Sequence, residues 1–522
     1  MSKILTLPNL VSKVKSLKAS GKKVCHCHGC FDLVHYGHIK LFEASKAHGD
    51  ILIVTVTPDR FIKKGPGRPA FDEKKRLRFL SELECIDFVA LNDAEDAIEL
   101  SRSLKPDITF RGKEYEDPSK DITGKISLEK KAIESVGGKL QIIDEEVHSS
   151  THLINNLSDI RDPAQQEYID LIRKKKVPEK ALEFLDKVKS KKVLNIGEII
   201  IDEYVYTSVR GTVTKHPIIS ASYNDTLIMA GGSLATSRHL SSLVNKPELL
   251  SSYGSKNPEY LDFIKNSLKS SGVRSKIIKN IGDFSVVKTR FISSSGYPNP
   301  LSNRIGEVPN KTSETRLFEL GYIPMGLINE STERKILDFL KKNIKLYDLV
   351  IISDFGHGLM TPQIIDFLIR SAKKLSINTQ TNSTNFGFNL LSKYKKGNFF
   401  CVDELEARLL MSDIRTDLDS LARKIMRKMN TQSLMISRGK YGLRYYKNNS
   451  VFNAPALANK VVDPIGAGDS LFIGASLASS FQEDPYVTGL ISAVMGMLGT
   501  SIQGNERPIS NDEIVRSIKG IV

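Results

Sequence analysis

No run of about eighteen apolar residues occurs in the chain, so no segment reads as a bilayer-spanning helix. The first residues, Met1-Ser2-Lys3-Ile4-Leu5-Thr6-Leu7-Pro8, have too short an apolar core and no small-residue cleavage site for a secretory leader. Cysteine is scarce: there are five, an odd number and mostly clustered, which excludes a disulfide framework and fits a reducing compartment. These absences together predict a cytoplasmic protein with no membrane partner. Short-period repeats and low-complexity tracts are missing as well. Few aromatic residues lie between the scattered lysines, as around Arg173-Lys174-Lys175-Lys176 and Lys341-Lys342. The net charge of +15 therefore reads as a basic, solvated surface rather than a nucleic-acid groove.

What is present is the composition of a globular protein, 40% hydrophobic and 26% charged. A chain of 522 residues is too long for one ordinary core, so two or three domains are expected. Short β-rich runs alternate with helical stretches at the start. Strands are expected over Lys22 to His28, Asp50 to Thr57, Asp87 to Leu91, Asp107 to Arg111 and Lys139 to Ile143, and helices over Asp72 to Glu84 and Ala94 to Leu104. This βαβ pattern predicts a parallel, doubly wound sheet whose ligand lies at the carboxyl ends of the strands. From about Asp159 to Lys192 the sequence is charged and helix-prone, with Asp162-Pro163 and Val177-Pro178 as helix starts. A second βα series begins at Val193-Leu194-Asn195-Ile196-Gly197. Within it, Tyr204 to Ser222 and Ser285 to Ile292 read as strands of a small accessory sheet, and Gly296-Tyr297-Pro298-Asn299-Pro300 as a turn. The expected organisation is domain 1–157, helical linker 158–190 and domain 191–522, an α/β chain of two doubly wound domains, the second with a small β lid.

The stretch Val24-Cys25-His26-Cys27-His28-Gly29-Cys30 has the residue types of a metal site but not the spacing. Structural zinc takes four ligands, usually two pairs on separate knuckles, and the remaining cysteines, Cys85 and Cys401, are distant and single. Strand alternation would also send Cys25 and Cys27 to one face and His26 and His28 to the other. No zinc is expected. Beyond Gly29, the segment Cys30-Phe31-Asp32-Leu33-Val34-His35-Tyr36-Gly37-His38 follows a strand and opens a helix. His35 and His38 lie three apart, so one turn aims both imidazoles at one point, and Gly37 leaves room for a phosphate or nucleobase. Donors and helix dipole together suit a nucleoside triphosphate that loses pyrophosphate.

Gly-x-Phe-Asp-x-x-His-x-Gly-His resembles the signature of cytidylyltransferase-like nucleotidyltransferases, above all the adenylyltransferase half of bifunctional ADP-heptose synthases. The resemblance spans nearly the whole first domain. It takes in Thr57-Pro58-Asp59, the basic loop Lys63-Lys64-Gly65 with Arg68-Pro69 and Arg76, the segments Lys105-Pro106-Asp107 and Arg111-Gly112, and the helix-capping segment Ser149-Ser150-Thr151. It implies His35 and His38 as catalytic donors, with Cys30, Phe31, Gly37, Lys64, Arg111, Ser149, Ser150 and Thr151 at the nucleotide. The reaction implied is in-line attack of a sugar phosphate on the α-phosphorus of an NTP with Mg2+ on the triphosphate. Glu145-Glu146-Val147-His148 departs from the Arg-Thr-x-Gly-x of some CTP-using members, which leaves ATP and CTP both open and the resemblance favouring ATP.

Val461-Val462-Asp463-Pro464-Ile465-Gly466-Ala467-Gly468-Asp469 is the most specific segment of the second half. Gly466, Ala467 and Gly468 would present backbone N–H groups at the start of an apolar helix as an anion hole. Asp469 would take a proton from a hydroxyl nucleophile, and close packing is the competing reading of the glycines. Asp-x-x-Gly-Ala-Gly-Asp resembles the signature of ribokinase-like sugar kinases, and the resemblance covers 191–522. It implies Asp202, Gly231 and Gly232 at the sugar, Lys288-Thr289-Arg290 on a lid strand, and Ser353-Asp354-Phe355-Gly356-His357-Gly358 at a strand end. It further implies Ser437, Gly439 and Gly442 at the nucleotide, and Glu406 as a Mg2+ ligand. Three departures stand out: Ala235 replaces a sugar-binding Asn, Gln380-Thr381-Asn382 replaces an Asp-Pro, and Asp403-Glu404-Leu405-Glu406 replaces Asn-x-x-Glu. In the familiar ADP-heptose synthases the kinase comes first, whereas here the nucleotidyltransferase leads.

The expectation is a bifunctional sugar kinase and sugar-phosphate nucleotidyltransferase. It would use ATP (or CTP in the second activity) with Mg2+ to make an ADP-heptose-type donor for surface polysaccharide. The alternative is a CTP-dependent polyol- or sugar-phosphate cytidylyltransferase with a regulatory kinase-like domain. Partners would be a sugar phosphate and a nucleoside triphosphate, with no nucleic acid. Leu234 to Val244 reads as either a packing helix or the face of a homo-oligomer.

Overall fold

The computed structural model describes residues 3–62, 69–94, 96–112, 126–143, 163–213, 216, 218–294, 314–324, 326–458, 461–482 and 484–521. They fall into two compact units, 1–161 and 162–522.

In the first unit five parallel strands, β1 (Val24–Gly29), β2 (Ile51–Val56), β3 (Phe88–Leu91), β4 (Ile108–Gly112) and β5 (Lys139–Ile143), lie in the order β3-β2-β1-β4-β5. Alternation along β1 and β2 builds two cores. Cys25, Cys27, Leu52 and Val54 join Phe42 and Leu80 on one face, while Val24 and Ile53 join Leu10, Val14 and Leu100 on the other. Helices thus cover both faces of the sheet. Strand order reverses between β1 and β4, so a crevice opens beyond their carboxyl ends, where doubly wound sheets take ligands. Gly29 ends β1 at that point, and the helix Tyr36–Ala47 starts just past it.

The second unit carries a nine-stranded sheet and a four-stranded one. The strands are β6 (Val193–Gly197), β7 (Ile199–Thr212), β8 (Ile219–Gly231), β9 (Glu248–Gly254), β10 (Arg274–Asn280), β11 (Val286–Ser294), β12 (Glu314–Tyr322), β13 (Leu349–Asp354), β14 (Leu375–Thr379), β15 (Phe399–Asp403), β16 (Ser433–Ser437), β17 (Leu443–Lys447) and β18 (Ser450–Ala454). The large sheet runs β10-β9-β6-β13-β14-β15-β16-β17-β18, parallel up to β16 and antiparallel after it. The accessory sheet runs β12-β11-β7-β8, with β11 parallel to β7.

Two sequence expectations change. The run Tyr204 to Ser222 is a hairpin, with β7 starting earlier at Ile199 and β8 continuing to Gly231. The helices Pro163–Lys174 and Val177–Val188, read as a linker, bury Tyr168, Ile172, Val177, Phe184 and Leu185 in the core of the second unit, and the latter helix packs on Pro485–Thr500. Charged residues on their outer faces mask this apolar stripe in composition. The expected turn at 296–300 lies outside the described residues. Ala235 sits in the helix Gly232–Leu240 and packs in a core with Ile201, Leu234 and Leu249.

Candidate active sites

The loop after β1 is shaped by one aromatic ring. Phe31 takes a left-handed backbone, φ +46°, and folds back so that its ring lies over Gly29, where a Cβ would stand 3.0 Å from Phe31 Cζ. That ring meets His38 edge-on at 5.5 Å and Phe42 at 5.2 Å. Asp32 is buried, and its Oδ1 accepts from the N–H groups of Ala70 (2.6 Å) and Phe71 (3.2 Å). His35 precedes the helix and His38 is in its first turn, with ring centroids 3.9 Å apart. His38 Nδ1 accepts a long hydrogen bond from the His35 N–H at 3.4 Å. Gly37 is buried between them, and Cys30 is half-buried in the preceding loop.

Behind this loop the cysteine and histidine cluster is core. Thr55 Oγ1 bonds to His26 Nε2 at 2.8 Å and to His28 Nδ1 at 2.9 Å. Burial, reinforced by Arg111, pushes His26 down to about 3 and His28 well below its ordinary value, so both are neutral. Burial pushes the Cys27 thiol up to about 12. Arg111 is turned inward: its guanidinium donates to the His28 carbonyl and to Glu129, which ties β1 to β4 and to the helix Ile126–Ser135. Arg76, fully buried, donates to the carbonyls of Cys30, Thr57 and Phe71 and to Asp59 at 2.6 Å, bracing the loops around the crevice. Lys64, Ser149, Ser150 and Thr151 lie outside the described residues.

In the second unit a cavity of about 730 Å³ brings together Asp202, Gly232, Glu406, Ser437, Gly439, Gly442, Gly466, Ala467, Gly468 and Asp469, residues drawn from both sheets and from the helix Ala467–Phe481. Gly466 stands at the N-cap of that helix with φ +85°, and a Cβ there would lie 2.2 Å from Asn505 Oδ1. Both the conformation and the space demand glycine. The Ala467 N–H makes a long contact, 3.4 Å, with the Pro464 carbonyl. Asp463 ties this turn down, accepting from Ile465 N–H (3.0 Å) and Gly504 N–H (3.1 Å). Gly231 and Gly232 let the strand end pass close to Asp202 and Glu198: a Cβ on Gly231 would stand 2.2 Å from Asp202 Oδ2.

The charges at the cavity floor are opposed in sign. Burial pushes the Asp469 carboxyl up to about 7, and Asp202 adds to this, while a hydrogen bond from Gln380 and the charge of Lys288 pull it back. Gln380 Nε2 donates to Asp469 Oδ1 at 2.6 Å. Asp202 accepts from Arg290 at 2.5 Å, and Arg290 also reaches Glu319 at 3.0 Å. Lys288 is buried, which lowers its pKa against the opposing pull of Asp202, Glu319 and Asp469.

Two buried carboxylates act as braces. Glu198 accepts from the N–H groups of Phe355 (2.9 Å), His357 (3.1 Å) and Leu359 (3.2 Å), which shapes the loop after β13. Glu406 accepts from Thr381 N–H (2.8 Å) and Asp403 N–H (3.0 Å), and Asp403 returns a bond to Glu406 N–H (2.7 Å), a capping box for the helix Glu404–Met411. Burial and the neighbouring Asp403 push Glu406 up to about 8. Sequence reasoning missed Gln380 as a partner of Asp469. The available signal was an amide, able to donate to a carboxylate, at a position read only as a lost acid.

Comparisons with known proteins bear on both units. A cytidylyltransferase-like family model matches residues 26–156, and a pfkB family carbohydrate kinase model matches 329–490. The chain thus carries a cytidylyltransferase-like domain followed by a carbohydrate kinase domain. It is 33% identical over 159 residues to the bifunctional protein HldE of Geobacter metallireducens, covering 30% of this chain and 31% of that protein. It is 36% identical over 159 residues to the bifunctional protein HldE of Desulfatibacillum aliphaticivorans, with the same 30% and 31% coverage. Each alignment thus spans about a third of the curated relative, 31% of its length. Among solved structures, phosphofructokinase-2 from Escherichia coli in complex with potassium aligns over 63% of this chain and 99% of its own, at 13% identity and a TM-score of 0.49. No described helix is long and apolar enough to cross a membrane.

Proposed function

We propose that the chain builds a nucleotide-activated sugar by two reactions, one on each unit. In the second unit Asp469 takes the proton of a sugar hydroxyl whose oxygen attacks the γ-phosphorus of ATP. The new O–P bond forms as the bond to the β-phosphate oxygen breaks, and ADP leaves. The helix start at Gly466 to Gly468 stabilises the phosphoryl oxygens in transit. In the first unit a phosphate oxygen of the sugar 1-phosphate attacks the α-phosphorus of a nucleoside triphosphate and pyrophosphate leaves, with His35 and His38 donating to the phosphates. ATP is the favoured nucleotide and an ADP-heptose-type donor for surface polysaccharide the favoured product. The reading as two activities is supported by the relatives, which are named bifunctional proteins.

The observation that carries this reading is the position of Asp469, buried at a helix start beside a left-handed glycine in a cavity it shares with Asp202 and Lys288. Mg2+ belongs to the same reading. Asp403 and Glu406 supply hard oxygen atoms lining the cavity, although both Glu406 oxygens and Asp403 Oδ1 already accept backbone N–H groups in the capping box. Those two residues would hold the ion, whose charge offsets that of the triphosphate.

One observation favours the alternative that the second unit binds without phosphorylating: Asp202, the residue proposed to meet the sugar, is already paired with Arg290. The test is ADP release from ATP with a panel of hexoses, heptoses and their monophosphates. Release by the wild type that is lost in Asp469→Asn supports the kinase, and equal background release by both proteins supports the binding role.

A further inference from the structure

The proposed phosphotransfer leaves Gln380 without a role, yet its surroundings hold it firmly. It follows the last residue of β14, and its backbone is clamped on both sides: the N–H donates to the Asp354 carbonyl at 2.9 Å and the carbonyl accepts from Asn389 at 3.0 Å. The next residue, Thr381, is fixed to Glu406. From this rigid point the side-chain amide reaches the cavity and donates to Asp469 Oδ1 at 2.6 Å. A carboxylate can only accept, so the amide nitrogen faces it, and Oδ2 is left for a substrate hydroxyl. The other charged groups facing Asp469 are Asp202 from β7, Lys288 from β11 and Glu406 from the helix Glu404–Met411.

We infer that Gln380 is a positioning residue of the phosphotransfer site, whose amide holds the Asp469 carboxylate in one orientation for proton abstraction. The inference rests on Asp469 being the base. An acid at position 380 would set a second carboxylate against Asp469 and favour a shared proton. The amide instead supplies a donor without a charge. It also opposes the effect of burial, which would otherwise keep Asp469 protonated at neutral pH.

The experiment compares Gln380→Leu and the isosteric Gln380→Glu with the wild type, measuring kcat and KM from pH 5 to 9. The sugar is the one giving the most Asp469-dependent ADP release in the panel above. The acid limb of kcat/KM is expected to move up by about one pH unit in Gln380→Leu and further in Gln380→Glu, with KM for ATP unchanged. An unchanged limb in Gln380→Glu, which keeps the shape of glutamine, overturns the inference. If the wild type shows no Asp469-dependent release, the kinase reading fails instead, and urea unfolding then tests the bond itself. Asp469 is raised on folding, so stability falls as pH rises between its unfolded and folded values. Removing a donor to the carboxylate prolongs that fall. Gln380→Leu must therefore lose more stability at pH 9 than at pH 5, and this difference must vanish in an Asp469→Asn background. Equal losses at both pH values contradict the inference.

Discussion

Arg290 on β11 donates to Asp202 on β7 across 2.5 Å and reaches Glu319 on β12 at 3.0 Å, so one half-buried guanidinium joins three strands of the accessory sheet beside the cavity. Arg290→Met removes the hydrogen-bonded partner of buried Asp202 and leaves Lys288 as the cation facing it. We predict a loss of about 1.5–3 kcal/mol in unfolding free energy, measured by urea denaturation. A variant as stable as the wild type would show that the pair contributes nothing.

Kinase activity is expected to have an acid limb near the value to which burial pushes Asp469, about 7. The base must be ionised, so kcat/KM rises with pH up to that value and is flat above it, falling about tenfold per unit below it. A profile flat down to pH 5 contradicts the assignment of Asp469 as the base.

Asp469→Asn is expected to separate function from stability. Phosphoryl transfer falls by about 10²–10⁴-fold, while the protein becomes more stable at pH 8 than the wild type, because a buried carboxyl no longer has to ionise. The gain should shrink on lowering the pH through 7 toward the unfolded value, and thermal melts at pH 5 and 8 read it directly.

Gly466→Ala asks for a left-handed alanine with its Cβ against Asn505. We expect about 1–3 kcal/mol of destabilisation and loss of ADP release, with pyrophosphate release by the first unit retained. Full kinase activity in this variant would refute the anion-hole geometry.

Glu129→Ala removes the carboxylate that pairs with buried Arg111. Its predicted cost is about 3–5 kcal/mol, confined to pyrophosphate release and to melting of the first unit.

Much of this arrangement is legible in the sequence because its signals are local. The β-rich runs at Lys22 to His28 and Asp50 to Thr57 become β1 and β2 within two residues, since alternation fixes which side chains meet each core. Gly466 to Asp469 announces a helix start because only glycine tolerates that turn. What was illegible depends on partners distant in sequence. Arg111 reads, by the resemblance, as a nucleotide-binding residue, and its pairing with Glu129 and the His28 carbonyl could not be read from the sequence. Gln380 reads as a loss until the fold sets it against Asp469, 89 residues away. The helices at 163–188 look like a linker because their charge is visible in composition, and their buried stripe emerges only in the core they share with distant helices such as Pro485–Thr500.

The central claim, two separable catalytic centres in one chain, is tested most directly by pyrophosphate release. The assay supplies ATP, or CTP in parallel, with heptose 1-phosphate to the wild type, His38→Ala and Asp469→Asn. The account predicts release with ATP by the wild type and by Asp469→Asn, and a loss of about 10²–10³-fold in His38→Ala. Release that survives in His38→Ala, or that disappears in Asp469→Asn, would contradict it.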